Sequence, residues 1–117
     1  MPPSVLIVDD HQTFRTTARA LLEAEGFDVV GEAEDGESAI DAVGRLHPEV
    51  VLLDIQLPGI DGFEVAERLT TNGSAPAVVL TSSRDASDFG ALVERSGARG
   101  FLPKSELSGA ALAALLQ

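Results

Sequence analysis

A chain of 117 residues with 44% hydrophobic and 23% charged residues has the size and composition of one ordinary globular domain. Such a composition argues against disorder, collagen-like repeats and a membrane protein. Cysteine is absent, which excludes disulfides and thiolate metal sites and fits a reducing compartment. The 19 acidic residues outweigh the 8 basic ones, and a net charge of −11 repels phosphate backbones, so direct nucleic acid binding by this segment is not expected.

The start, Met1-Pro2-Pro3-Ser4, carries no basic stretch leading into a long apolar segment, so no membrane association and a cytoplasmic location are expected. Residues 5–8 form an unbroken apolar run that ends on Asp9 and Asp10. Phe14, Ala18, Leu21 and Leu22 then recur at helical spacing, and Gly26 stands where that helix should end. His11 is read as the first residue of this helix. It is not read as a ligand, because magnesium prefers oxygen donors. A weaker strand is expected at residues 27–33, and Asp35-Gly36 opens a second helix marked by Ile40, Val43 and Leu46. His47-Pro48 reads as a loop without function.

A second apolar run covers residues 50–53 and ends on Asp54. Asp61 and Glu64 have capping-box spacing at the start of a third helix carrying Phe63, Ala66 and Leu69. Asn72-Gly73-Ser74 spells a glycosylation sequon but reads as a turn. A third apolar run, residues 77–80, is followed by Thr81, Ser82 and Ser83. Phe89, Leu92 and Val93 mark a fourth helix, residues 99–102 a short strand, and residues 105–116 a last helix. That helix, with Leu107, Leu112, Leu115 and Leu116 among alanines, has almost no polar face. Self-association, packing against a segment outside the chain, and plain alanine helix propensity are the three readings of it.

Five βα units with strands apolar on both faces predict an α/β fold, a doubly wound five-stranded parallel sheet with helices on both sides. The two weaker strands suit the sheet edges, consistent with the order 2-1-3-4-5, although the residues alone do not fix it. In such a sheet, ligands bind beyond the carboxyl ends of the strands. The residues that follow the strands are Asp9 and Asp10, Asp54, Thr81, and Lys104, which is the only lysine in the chain. Carboxylates crowded at one edge call for a divalent cation, and few protein ligands with room for water favour Mg2+. A cation, a hydroxyl and an ammonium beside a carboxylate are the components of phosphoryl transfer to that carboxylate. Asp54, at the end of the central strand opposite Thr81, is the residue read as the acceptor.

The stretches LIVDDH, VVLLDIQLPGIDGFEV, VVLTSS and GARGFLPKSEL together resemble the receiver domains of two-component response regulators, over the whole chain. Their wording is most like the LuxR/NarL/FixJ-type subfamily. The resemblance implies the strand order 2-1-3-4-5 and one receiver domain over residues 1–117, with a C-terminal output domain absent from this chain. It implies that Asp54 is phosphorylated and that the metal is held by Asp9, Asp10, Asp54 and the backbone carbonyl of Gln56. Thr81 and Lys104 would contact the phosphoryl group, and Phe101 would be the switch aromatic. Gln56 and Ser83 sit where the family tunes the lifetime of the acyl phosphate, and Ser105 stands where many relatives carry proline.

The implied partners are a sensor histidine kinase, a second copy on phosphorylation, and a helix-turn-helix DNA-binding output domain in the full-length protein. The implied activity is that of a signalling phosphoacceptor controlling transcription rather than an enzyme with an external product. The alternative is a phosphorylation-independent interaction or dimerisation module of the same fold, disfavoured because no site residue is lost. An aspartyl-phosphate phosphatase is disfavoured by Gln56 in place of a second acid. A flavin mononucleotide binder is disfavoured by two acids where phosphate-binding amides would be needed.

Overall fold

The computed structural model describes residues 3–71, 76–83 and 89–116. The Asn72-Gly73-Ser74 turn expected from the sequence lies outside them. Five strands, β1 (Ser4–Val8), β2 (Asp28–Ala33), β3 (Val50–Asp54), β4 (Ala77–Ser82) and β5 (Gly100–Pro103), form one sheet. All pairings are parallel and the order is β2-β1-β3-β4-β5, as expected. The helices are α1 (Gln12–Ala24), α2 (Gly36–Leu46), α3 (Gly62–Leu69), α4 (Leu92–Arg95) and α5 (Gly109–Leu115).

The strand sequences explain why both faces are covered. Along β1, β3 and β4 alternate side chains enter two separate cores, as the two-residue period of a strand requires. Leu6, Val8, Val51, Leu53, Val78 and Leu80 face α2 and α3, where they meet Ala39, Ala42, Val65, Ala66 and Leu69. Val5, Ile7, Val50, Leu52 and Val79 face the other way, onto Ala18 and Leu22 of α1 and Leu112 of α5. Each large aliphatic side chain buried in this way contributes about 1.5–3 kcal/mol of transfer free energy, so the sheet edge carrying the polar residues has a rigid support.

Helix starts follow the sequence punctuation. Asp35 Oδ1 accepts from the Ser38 amide at 2.8 Å and Asp61 Oδ1 from the Glu64 amide at 2.9 Å, each satisfying a free donor of the first turn. Gly26 follows the end of α1 at φ 96°, a left-handed value that favours glycine.

Three helix starts differ from the sequence reading. His11 is the N-cap of α1 rather than its first helical residue, with extended backbone at φ −99° and ψ 109°. The fourth helix is confined to Leu92–Arg95 among the described residues, because Gly90 at φ 56° separates Phe89 from it. The last helix starts at Gly109, not Ser105. Lys104–Glu106 form a 3-10 turn, Leu107 is extended, and the Ser108 hydroxyl caps α5 by accepting from the Ala111 amide at 3.0 Å. The resulting helix buries Gly109 and Leu112 and leaves Ala110 and Ala114 exposed, so alanine forms its outer face.

One close approach positions the end of β3. The Gly62 amide donates to the Ile55 carbonyl at 2.8 Å, and a Cβ at Gly62 would lie 2.4 Å from the Asp54 carbonyl oxygen and 2.6 Å from Ile55 Cα. Both obstacles are backbone and cannot rotate away. Gly62→Ala should therefore destabilise the protein by about 2–4 kcal/mol, through overpacking rather than loss of a contact, as read from the midpoint of urea unfolding. Gly44→Ala, where a Cβ meets nothing within 4 Å, should be neutral or stabilising in the same assay.

Candidate functional site

The site lies at the carboxyl ends of β1, β3, β4 and β5. Asp9 follows β1 and is fully buried. Its amide donates to the Ala33 carbonyl at 3.0 Å, which ties the loop to β2. Asp54 is the last residue of β3 and is 2% exposed. Parallel pairing sets it directly opposite Thr81 on β4, and Thr81 is buried as well. Asp10 is at the rim, exposed. The acidic residues are therefore graded from a dry interior to solvent across a few ångströms.

Lys104 reaches in from the end of β5. Its Nζ lies 2.5 Å from Asp9 Oδ2 and 3.5 Å from Asp54 Oδ2. One ammonium thus bridges two buried carboxylates. The Gln56 amide donates to the other Asp54 oxygen, Oδ1, at 3.1 Å, and the Gln56 residue itself is exposed. Ser83 is exposed one residue beyond β4. Every site residue inferred from the sequence is therefore at this edge except Phe101, which lies one strand position inside it.

Burial dominates the electrostatics of Asp54. Removal from water raises its pKa from 3.8 to about 6; the Gln56 amide opposes the rise, the Asp9 charge adds to it, and Lys104 opposes it. One ammonium cannot neutralise two buried carboxylates and a third at the rim, so the cluster stays short of positive charge. Asp9 Oδ2 is buried and is held by the Lys104 ammonium at 2.5 Å. Asp9, Asp10, His11 and Asp54 offer ligand atoms all within 4.8 Å of one another. Three of the four are carboxylates, the donor type of hard divalent cations, so the residues fit Mg2+.

Three residues that sequence reasoning did not assign to the site belong to it. His11 Nδ1 stands 3.1 Å from both Asp9 Oδ1 and Asp10 Oδ1, and the His11 amide donates to Asp9 Oδ1 at 2.8 Å. Arg15 Nη1 donates to the Asp9 carbonyl at 2.5 Å while its Nε pairs with Glu32 Oε1 of β2 at 3.0 Å. Phe14 presents its ring to Lys104, with Nζ 4.5 Å from the centroid. All three sit at the start of α1, and only the folded loop brings that turn over the carboxylates. The available signal was their position one to five residues after the Asp9-Asp10 pair.

Phe101 of β5 is half-buried and opposite Leu80 of β4. Its ring is 5.7 Å from that of Phe89 at 48°, and Phe89 is 5.7 Å from Phe63 at 63°, a row of offset rings joining β5 to α3. No helix of the described residues is long and apolar enough to cross a membrane.

A response regulator receiver domain family model matches residues 5–116. The nitrate/nitrite response regulator NarP of Escherichia coli K12 is 44% identical over 105 residues, 88% of this chain and 48% of that protein. The virulence-factor transcription regulator BvgA of Bordetella pertussis is 39% identical over 102 residues, 87% of this chain and 49% of that protein. Among solved structures, the signal receiver domain of NarL from Mycobacterium tuberculosis superposes with a TM-score of 0.85 at 34% identity, covering 98% of this chain and 97% of that one. The chain spans about half the length of the curated relatives it matches. With the parallel sheet order and the acidic edge it carries, the chain belongs to the response regulator receiver domain family and lies on the LuxR/NarL side of it.

Proposed function

We propose that the chain is a phosphorylation switch in which Asp54 accepts a phosphoryl group from a sensor histidine kinase and a change of conformation follows. The observation that carries this reading is the convergence of buried Asp54, buried Asp9 and the sole lysine at one strand edge, within ion-pair distance of each other. In the proposed transfer, the bond from phosphorus to the donor nitrogen breaks as a bond from phosphorus to an Asp54 carboxylate oxygen forms. The electron pair of the broken bond departs with the donor imidazole.

Asp54 must be ionised to attack, and Lys104, 3.5 Å from its Oδ2, is near enough to turn its charge toward the incoming phosphoryl oxygens. Asp9, Asp10 and Asp54, with the Gln56 carbonyl, would hold Mg2+; when bound, it supplies charge neutralisation to the carboxylates and phosphoryl oxygens. Thr81, opposite Asp54 in register, is the proposed hydroxyl contact of the phosphoryl group, and Phe101 the aromatic that changes packing in response. The domain does this chemistry on itself and has no separate product.

Relatives described as transcription regulators are about twice as long as the matched stretch, which supports an attached DNA-binding output domain; the proposed reading also includes phosphorylation-dependent pairing of two copies and action in the cytoplasm.

Incubation with a small phosphodonor and Mg2+ should add one phosphate to the wild type and none to Asp54→Asn by intact mass; equal labelling of both would sink the assignment. Lys104→Ala should still bind Mg2+ in a calorimetric titration yet fail to dimerise on phosphodonor treatment, and unaltered dimerisation would remove Lys104 from the switch.

The raised pKa of Asp54 adds a test by pH. A carboxyl whose folded pKa lies above its unfolded value stabilises the fold below pH 4 and loses that contribution as pH rises through about 6. Without divalent ions, Asp54→Asn should therefore be more stable than wild type at pH 8, by about 1–2 kcal/mol once solvent screening at the site's mouth is allowed for, and the advantage should vanish toward pH 4. Urea unfolding at both pH values measures it, and a constant difference would contradict the burial argument.

A further inference from the structure

Among the described residues, Lys104 Nζ is ion-paired with the carboxylates of Asp9 and Asp54 and also stands over the Phe14 ring, 4.5 Å from the centroid. Phe14 is anchored from below, because it is half-buried and packs against the core on the α1 and α5 side of the sheet. The ammonium it faces is itself mostly buried, with 18% of the side chain exposed. A cation–π contact is strongest under such partial desolvation.

We infer that Phe14 is a positioning residue for Lys104: its ring face holds the ammonium within reach of Asp54, so that Phe14 sets the rate of phosphoryl uptake. The inference rests on the reading of Asp54 as acceptor and Lys104 as its cationic partner.

The chemistry of the ring suits the task better than a polar side chain would. The ammonium lies 2.5 Å from Asp9 and 3.5 Å from Asp54, so contacting a phosphoryl group on Asp54 requires it to shift away from Asp9. A carboxylate or amide in the place of Phe14 would add negative charge to an overcharged cluster, or fix Nζ with a directed hydrogen bond. A π face attracts the cation without either effect and, having no single acceptor atom, fixes no hydrogen-bond direction while Nζ stays within about 6 Å of the centroid. Arg15, the next residue, holds the Asp9 carbonyl at 2.5 Å, so one turn of α1 secures both the metal-side backbone and the ammonium.

The test compares initial rates of phosphate uptake from acetyl phosphate at saturating Mg2+. Phe14→Leu, close in volume but without a π face, should be slower by roughly five- to tenfold, and Phe14→Tyr, which keeps the face, should stay within about twofold of wild type. In a Lys104→Met background, Phe14→Leu should cause no further slowing, because the cation is gone. Since Lys104 is the only lysine, its ε-methylene proton resonance is unambiguous, and it should lie upfield in wild type and Phe14→Tyr and move downfield in Phe14→Leu. Should Phe14→Leu not fold, Phe14→Met carries the same comparison. An unchanged rate in Phe14→Leu, equal slowing with and without Lys104, or no rescue by tyrosine would each overturn the inference while leaving Asp54 as acceptor. Absence of uptake by the wild type would overturn the Asp54 reading, and this inference with it.

Discussion

Two carboxylates held out of water beside one ammonium are the constraint around which this domain is organised. Asp9 is fully buried and Asp54 nearly so, and each would relax by reaching solvent. The sheet prevents it. Asp9 is tethered through its amide to Ala33 and Asp54 is the last paired residue of β3, so the repulsion cannot be relieved by backbone motion without breaking a parallel ladder. Lys104 compensates part of it, and the pKa of Asp54 is raised, by removal from water first and by the Asp9 charge second. A site left short of positive charge by its own fold has a standing capacity for a cation, and with it a sensitivity to any further negative charge on Asp54.

The supports of that site are drawn from both sides of the sheet. On one side, α1 crosses over the loop after β1, and Arg15 joins the Asp9 carbonyl to Glu32 of β2, with Arg19 on the second Glu32 oxygen at 2.8 Å. On the other, Gly62 allows the start of α3 to lie against the backbone of Asp54 and Ile55. The loops that carry the carboxylates are therefore held by the Arg15 side chain on one side and by the backbone at Gly62 on the other, and the two apolar cores resist displacement because close-packed interiors deform little.

Much of this was legible in the sequence, for a physical reason. A parallel sheet with both faces covered needs uninterrupted apolar strands, so residues 5–8, 50–53 and 77–80 stand out, and the residue after each run must lie at the ligand-binding edge. Asp9, Asp54 and Thr81 were found that way without any side-chain geometry. Contacts made by side chains reaching back across a loop were not legible, which is why His11, Phe14 and Arg15 were missed; Phe14 has the spacing of an ordinary core residue, and it is also one. The start of the last helix was misread because the apolar pattern runs through Leu107, whereas the hydroxyl of Ser108 supplies the cap that decides where the helix begins. The fourth helix was overestimated because helical periodicity survives a left-handed glycine that the backbone does not.

The distance between the charged site and the aromatic row bears on how a switch of this kind could work. Thr81 is paired with Asp54, and the residue before it, Leu80, is paired with Phe101. A displacement of β4 at Thr81 thus reaches the packing of Phe101 through a single peptide unit. Successive side chains of a strand point to opposite faces, so Thr81 and Leu80 report to different sides of the sheet. Movement of the first toward a phosphoryl group would alter the surface that the second offers to the ring. Phe101 is half-buried, packed against the α2 and α3 side core and near Phe89, so a turn of its ring gives up less packing than in a fully buried phenylalanine, where a cavity costs several kcal/mol. Under the proposed reading, no long path of coupled residues is required. The nucleophile on β3 and the switch aromatic on β5 are separated by β4 alone, and the low cost of moving a partly exposed ring is what lets a local change of charge be felt at the surface.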